Sequence, residues 1–168
     1  SELPAKPQPK FKNSIPTLKF SESRTLPLTS ITKELANKMI FAELVKKEEI
    51  YLVNQNLGNG NLDVIIKVLR KNKVLKGLYL SGNRITLANG EFANALAANR
   101  TLRLLFLGYN KFGPEGVNHL AAALKENQTL QQIDLRGNQI GDEGAKRLAE
   151  ALAGNKSLNE IDLSRNNV

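Results

Sequence analysis

The chain has 168 residues, 41% of them hydrophobic, which is enough for one domain with a packed core. It contains no cysteine, which excludes a disulfide framework and a thiolate zinc site and favours a reducing compartment. The formal net charge of +8 is uneven: residues 1–30 sum to +3, residues 31–100 to +5 and residues 101–168 to zero.

Residues 1–10 hold three prolines and two lysines and are expected to form a disordered leader. Residues 1–30 do not resemble a signal peptide, and no apolar run approaches the length of a membrane span. Residues 11–49 are read as an N-terminal capping unit. Ile15, Leu18, Phe20 and Ser23 form a degenerate copy of a pattern that recurs downstream, and Pro16 confines any strand there to a sheet edge. Ser30 or Thr32 caps a helix expected from about residue 32 to 47, with Leu35, Met39, Ile40 and Leu44 as its apolar stripe. The alternative is a flexible leader followed by an unrelated helix.

Residues 50–168 are periodic. Asn83, Asn110, Asn138 and Asn166 each close the frame Leu-x-x-(Leu/Ile)-x-Leu-x-x-Asn, at spacings of 27, 28 and 28 residues. The copies are Leu75–Asn83, Leu102–Asn110, Leu130–Asn138 and Leu158–Asn166. Upstream, Ile50, Leu52, Gln55 and Leu57 repeat the spacing, with Gln in place of Asn and Lys47 in place of the first Leu. Such a period means a solenoid whose units bury their apolar faces against one another. Leu78 and Leu80, Leu105 and Leu107, Ile133 and Leu135, and Ile161 and Leu163 alternate as short strands do when one face is buried. Past each strand the chain turns inward. A stacked Asn there donates and accepts at once, so a ladder of Asn side chains is expected to satisfy buried backbone groups.

The second half of each unit is helical. The apolar stripes are Leu62, Ile65, Ile66 and Leu69; Phe92, Ala93 and Leu96; Val117, Leu120, Ala121 and Leu124; and Ala145, Leu148, Ala149 and Leu152. Gly113–Gly116 and Gly141–Gly144 supply turn residues and the acids that suit a helix N-terminus. The Asn83-to-Asn110 unit is one residue short, and Asn89 replaces the first apolar residue of its helix, so that turn is expected to differ in shape. The chain stops at Val168 without a closing helix. The open edge predicts either truncation from a longer protein or pairing of that edge; otherwise a monomer is expected.

The segment from Leu130 to Asn155, LQQIDLRGNQIGDEGAKRLAEALAGN, resembles a repeat of the ribonuclease-inhibitor class of leucine-rich repeats. The resemblance covers residues 75–166 and extends into 50–74. It implies an α/β solenoid, a horseshoe arc with a parallel sheet on the concave face and helices on the convex face. Some members of that class activate a small GTPase through an exposed Arg. The nearest candidate for such a residue is Arg84, directly after Asn83.

Three glycosylation-like triplets, at Asn99, Asn127 and Asn155, share one repeat position. The repeat explains them better than secretion does, as helix-end and turn residues. The basic cluster Lys67, Arg70, Lys71, Lys73 and Lys76 is read as solvated helix surface near a helix C-terminus. Its rival reading is electrostatic association with nucleic acid, but no nucleic-acid motif accompanies it. His119 is the only histidine, and no acid pair stands near it in sequence. Asp134 and Asp162 occupy equivalent positions on adjacent strands, about 5 Å apart in backbone spacing, yet no third polar element marks a hydrolase site. Neither a catalytic residue, a cofactor nor a metal is expected.

The informative surface is the concave one. Outward strand residues form columns, the central one running Tyr51, Tyr79, Phe106, Asp134 and Asp162. With Val53, Leu104 and Arg136 these residues are the expected partner contacts, because exposed aromatics flanked by charge bury much area at little entropic cost. The bland alternative is that the N-terminal segment folds back over them. The sequence therefore predicts a non-enzymatic protein-binding module or scaffold. GTPase activation and nucleic-acid association are the alternatives, and nucleic acid is not the expected partner. The expected location is cytoplasmic, or a host cytosol if the chain is a secreted bacterial protein acting on host proteins.

Overall fold

A computed structural model of the chain describes residues 30–168, with side chains from Asn37 onward. The expected leader 1–10, the degenerate copy at Ile15, Leu18, Phe20 and Ser23, and the N-terminal segment that the alternative reading folds over the concave face lie outside the described residues, as do the side chains of Thr32 and Leu35. The elements in order are α1 (Ser30–Leu44), β1 (Glu49–Tyr51), a short 3-10 turn (Asn59–Asn61), α2 (Leu62–Lys71), β2 (Gly77–Tyr79), α3 (Glu91–Ala98), β3 (Leu104–Phe106), α4 (Gly113–Glu126), β4 (Gln132–Asp134), α5 (Gly141–Leu152) and β5 (Glu160–Asp162).

The five strands form one parallel sheet in sequence order. Ile50, Leu78, Leu105, Ile133 and Ile161 stand opposite one another across it, so the register equals one repeat. Because side chains alternate along a strand, this register sends Leu78, Leu80, Leu105, Leu107, Ile133 and Leu135 inward, where each is at most 1% exposed. The stripes of α2, α3 and α4 meet them from the other side, and one continuous core results. In the short unit Leu87, at φ 59° and buried, takes the inward place that Asn89 leaves empty. Leu87 reaches this place through a left-handed turn, so the loop differs in shape from those of the other units.

Two expected stripes differ from the structure. In α1, Met39 and Ile40 are exposed, whereas Phe41 and Leu44 pack against the core. In α5, Leu148 and Ala151 are buried but Ala149 is exposed. Among the described residues α5 packs against one helix, α4, so its buried stripe is narrower than that of α4, which lies between two. Gly116 marks where α4 approaches the preceding turn. A Cβ there would sit 2.2 Å from the Thr86 carbonyl oxygen, so only glycine permits the approach.

The frame asparagines are buried and form the expected ladder. Asn110 Nδ2 donates to the carbonyls of Leu107 in its own repeat (2.8 Å) and Leu80 in the one before (3.1 Å). Its Oδ1 accepts from the N–H groups of Asn83 and Ile85, both at 3.0 Å. Asn83 and Asn166 repeat the pattern. Asn138 keeps both donations, but its Oδ1 has no partner. Arg84, Gln139 and Asn167, each one residue past a frame Asn, have positive φ, whereas Lys111 does not. Lys111 N–H turns instead to the Ile85 carbonyl at 2.8 Å, so the peptide turn above Asn138 differs from the others.

A second ladder lies at the opposite end of the strands. Asn72, Asn99 and Asn127 end their helices and are at most 5% exposed; Asn155 is half-buried. Asn127 Nδ2 donates to the Leu96 and Asn99 carbonyls of the previous repeat (2.7 and 3.1 Å). Its Oδ1 accepts from the N–H groups of Thr129 and Leu130, just before the next strand (2.9 and 2.8 Å). The expected helix-end role of Asn99, Asn127 and Asn155 thus has a definite form, with each amide nitrogen already engaged.

Unfolding of three variants checks this packing. Leu135→Ala should cost about 2–5 kcal/mol in denaturant titration, the range for a buried Leu truncation. Asn110→Ala should cost about 1–3 kcal/mol because it orphans buried donors and acceptors on two repeats. Asn138→Ala should cost less than Asn110→Ala, since its oxygen has no bond to lose.

Candidate functional site

The register aligns the outward strand residues as it aligns the inward ones. On β1, β2 and β3 the central positions are aromatic, and their rings stack. Tyr51 and Tyr79 have centroids 4.4 Å apart at 16°, and Tyr79 and Phe106 are 4.9 Å apart at 15°. Tyr79 is sandwiched, and Tyr51 ends the stack with 40% of its surface exposed. Gly77 makes room for the Tyr79 ring, since a Cβ on it would lie 3.0 Å from Tyr79 Cε2. Phe106 is half-buried at the other end of the stack, Leu104 is half-buried beside it, and Val53 is exposed at its margin.

The Tyr51 hydroxyl donates to Glu49 Oε2. That bond, followed by burial, raises the Tyr51 phenol well above the ordinary tyrosine range. Burial raises Tyr79 as well, with the Glu49 charge second. Both phenols therefore stay protonated through neutral pH and act as neutral hydrogen-bonding groups rather than nucleophiles.

On β4 and β5 the same column is acidic, and one residue requires correction. Asp134 was expected at the surface as a partner contact, but it is 4% exposed. Gly108, two residues past the end of β3, lacks a Cβ that would lie 3.1 Å from Asp134 Oδ1, so the carboxylate lies down onto the sheet. Arg136 then covers it, with Nη2 at 2.8 Å and Nε at 3.0 Å from Oδ2, while the Arg136 N–H donates to Oδ1 at 3.0 Å. Arg136 also lies 3.7 Å from Asp162 Oδ2. Its guanidinium is held charged chiefly by the Asp134 hydrogen bonds, against a smaller opposing effect of burial. For Asp162, burial acts to raise the carboxyl pKa, but the Ser164 hydroxyl (2.7 Å), the Ser164 N–H (2.9 Å) and Arg136 together bring it below the ordinary value. Both carboxylates are engaged by one guanidinium, which is not the open acid pair that glycoside hydrolysis needs.

Tyr109 belongs to this surface and was not anticipated from the sequence. It is 48% exposed at φ 55° on the turn after β3, a costly conformation for a bulky side chain. Its ring lies on Gly137, where a Cβ would come within 2.7 Å of Tyr109 Cδ1. The available signal is its place in the frame: Gly82 and Gly137 precede their frame asparagines, and Tyr109 stands in the same position.

The remaining candidates lie elsewhere. Arg84 is exposed at φ 59° on the turn after β2. His119 is half-buried on α4, near Gly90. In the basic cluster, Arg70 pairs with Glu91 at 2.8 Å and Lys76 with Glu48 at 3.4 Å, so part of its charge is neutralised. Among the described residues no group of side chains could hold a metal ion. No described helix is long and apolar enough to cross a membrane.

Comparison with known proteins supports the repeat reading. A family profile described as "Leucine Rich repeat" matches residues 98–121 and 126–149. Among solved structures, one described as "Leiomodin-1 Actin-Binding Site 2 (ABS2)" is similar, with a TM-score of 0.68 and 21% identity. The similarity covers 80% of this chain and 79% of that one. No curated protein matches the chain.

The Arg136 cover on Asp134 gives a measurable expectation. Arg136→Ala should destabilise the fold by about 1–3 kcal/mol, because it leaves a buried carboxylate without its guanidinium. Arg165→Ala, at an exposed turn, should change stability by under about 0.5 kcal/mol. Thermal or denaturant unfolding of the two variants distinguishes them.

Proposed function

We propose that this chain, a leucine-rich-repeat protein, is a non-catalytic interaction module that takes a protein partner on its concave sheet face. The observation that carries the reading is the stack of Tyr51, Tyr79 and Phe106 on β1, β2 and β3. The inward strand positions of the repeats are uniformly aliphatic, but the outward strand positions differ from repeat to repeat. Core packing does not require aromatic rings on the outer face, and prearranged rings offer large contact area without an ordering cost. Val53, Leu104, Arg136 and Asp162 extend the surface. Asp134 contributes by fixing Arg136 rather than by touching a partner.

The leiomodin-1 domain is by its name an actin-binding site; at 21% identity it supports the fold of this chain, and actin is a reasonable first protein to test. GTPase activation through Arg84 has no supporting observation beyond the residue's exposure.

Affinity capture with wild-type chain and variants tests the proposal. Tyr79→Ala and Phe106→Ala should each weaken a captured interaction by at least about 2 kcal/mol, the scale of a hot spot. Each also removes stacking worth about 0.5–1.5 kcal/mol per ring pair, so unfolding of each variant is measured in parallel. Lys125→Ala and Lys146→Ala, on the helix face, should leave binding unchanged. Normal binding by the two aromatic variants, with loss in the helix-face variants, would refute the concave reading.

A further inference from the structure

The chain carries a net charge of +8, but its concave face has the opposite sign. On the outward strand positions the charged residues are Glu49, Asp134, Glu160 and Asp162 against a single cation, Arg136. Arg136 is shared between Asp134 and Asp162, so its charge is already offset. Glu160 is exposed and Asp162 keeps 40% of its side chain in solvent. The face therefore has two zones, an aromatic one on β1–β3 with Glu49 at its edge and an anionic one on β4–β5.

We propose, resting on the concave-face reading above, that the occupant is an extended segment of a partner protein carrying both apolar and basic residues. Its apolar side chains lie across Tyr51, Tyr79 and Phe106, and a Lys or Arg meets Glu160 and Asp162. The spacing follows from the sheet. Neighbouring strands are about 4.8 Å apart, so the middle of the aromatic stack lies roughly 14 Å from Asp162 across the strands. An extended chain covers that distance in about four residues. The segment thus crosses the strands with its basic residue about four positions from its apolar anchor, in either chain direction. Nucleic acid does not suit this face, because phosphates would approach a surface on which four carboxylates face a single cation.

The test is selection of displayed random peptides of about twelve residues, a length that exceeds the span of the five strands, on the full chain. Counter-selection on the Tyr79→Ala chain removes peptides that bind elsewhere. Enriched peptides should pair an aromatic or aliphatic residue with Lys or Arg about four positions away. Against such a peptide, Glu160→Lys should weaken binding about tenfold or more, as loss and reversal of a close charge contact predicts, and added salt should weaken wild-type binding. Glu160 is exposed, so folding should be unaffected, and unfolding of the variant checks this.

Peptides that depend on Tyr79 but are acidic, or indifferent to Glu160→Lys, would overturn the basic-segment proposal while leaving the concave reading in place. Absence of any Tyr79-dependent peptide would count against both. A labelled single-stranded oligonucleotide whose binding is lost in Tyr79→Ala would also overturn the proposal, replacing the partner class.

Discussion

The structure depends on how backbone groups are satisfied where the chain leaves the sheet. Each strand is three residues long, so strand pairing alone uses few peptide groups. On either side the chain turns toward a core in which an unpaired N–H or C=O is costly. The frame asparagines close one side and the helix-end asparagines close the other. Each bonds to its own repeat and to a neighbour, so a repeat cannot satisfy its backbone alone. Stability is therefore coupled between adjacent units, as expected for a quasi-one-dimensional array.

The same coupling makes the outer face. Two ladders fixed to one register hold residue 51 opposite 79, 79 opposite 106, 106 opposite 134 and 134 opposite 162. Side chains with no part in the core are thereby brought within contact distance. The aromatic stack and the Asp134–Arg136–Asp162 group both follow from that alignment, the second also from Gly108, whose missing Cβ leaves space for a carboxylate. Glycine and Tyr109 at left-handed turns tune the rim without altering the strands.

Much of this was legible in the sequence because buried positions repeat. The Leu and Asn frame located every strand from β2 to β5, and the frame ladder followed from the amide's ability to donate and accept. The second ladder was only half legible. Asn99, Asn127 and Asn155 were marked by their shared position, but Asn72 was not, because the triplet that drew attention to the others is absent there. Asp134 was misplaced because alternation gives the side of the sheet to which a side chain belongs, not what lies over it. Arg136, two residues on and on the same face, covers it. The stripe of α1 was misjudged because helical spacing allowed two faces, and packing selected Phe41 over Met39 and Ile40.

The proposed recognition on the sheet face is what would link these physical features to function. An array that varies its outward residues while keeping its inward ones can change partner without changing fold. The most direct test is amide hydrogen exchange of the full chain, free and bound to a captured partner. The account predicts added protection in β1–β3 and the turns that follow them, with the amides of α3–α5 little changed. Added protection confined to those helices, with the strand amides unchanged, would contradict it.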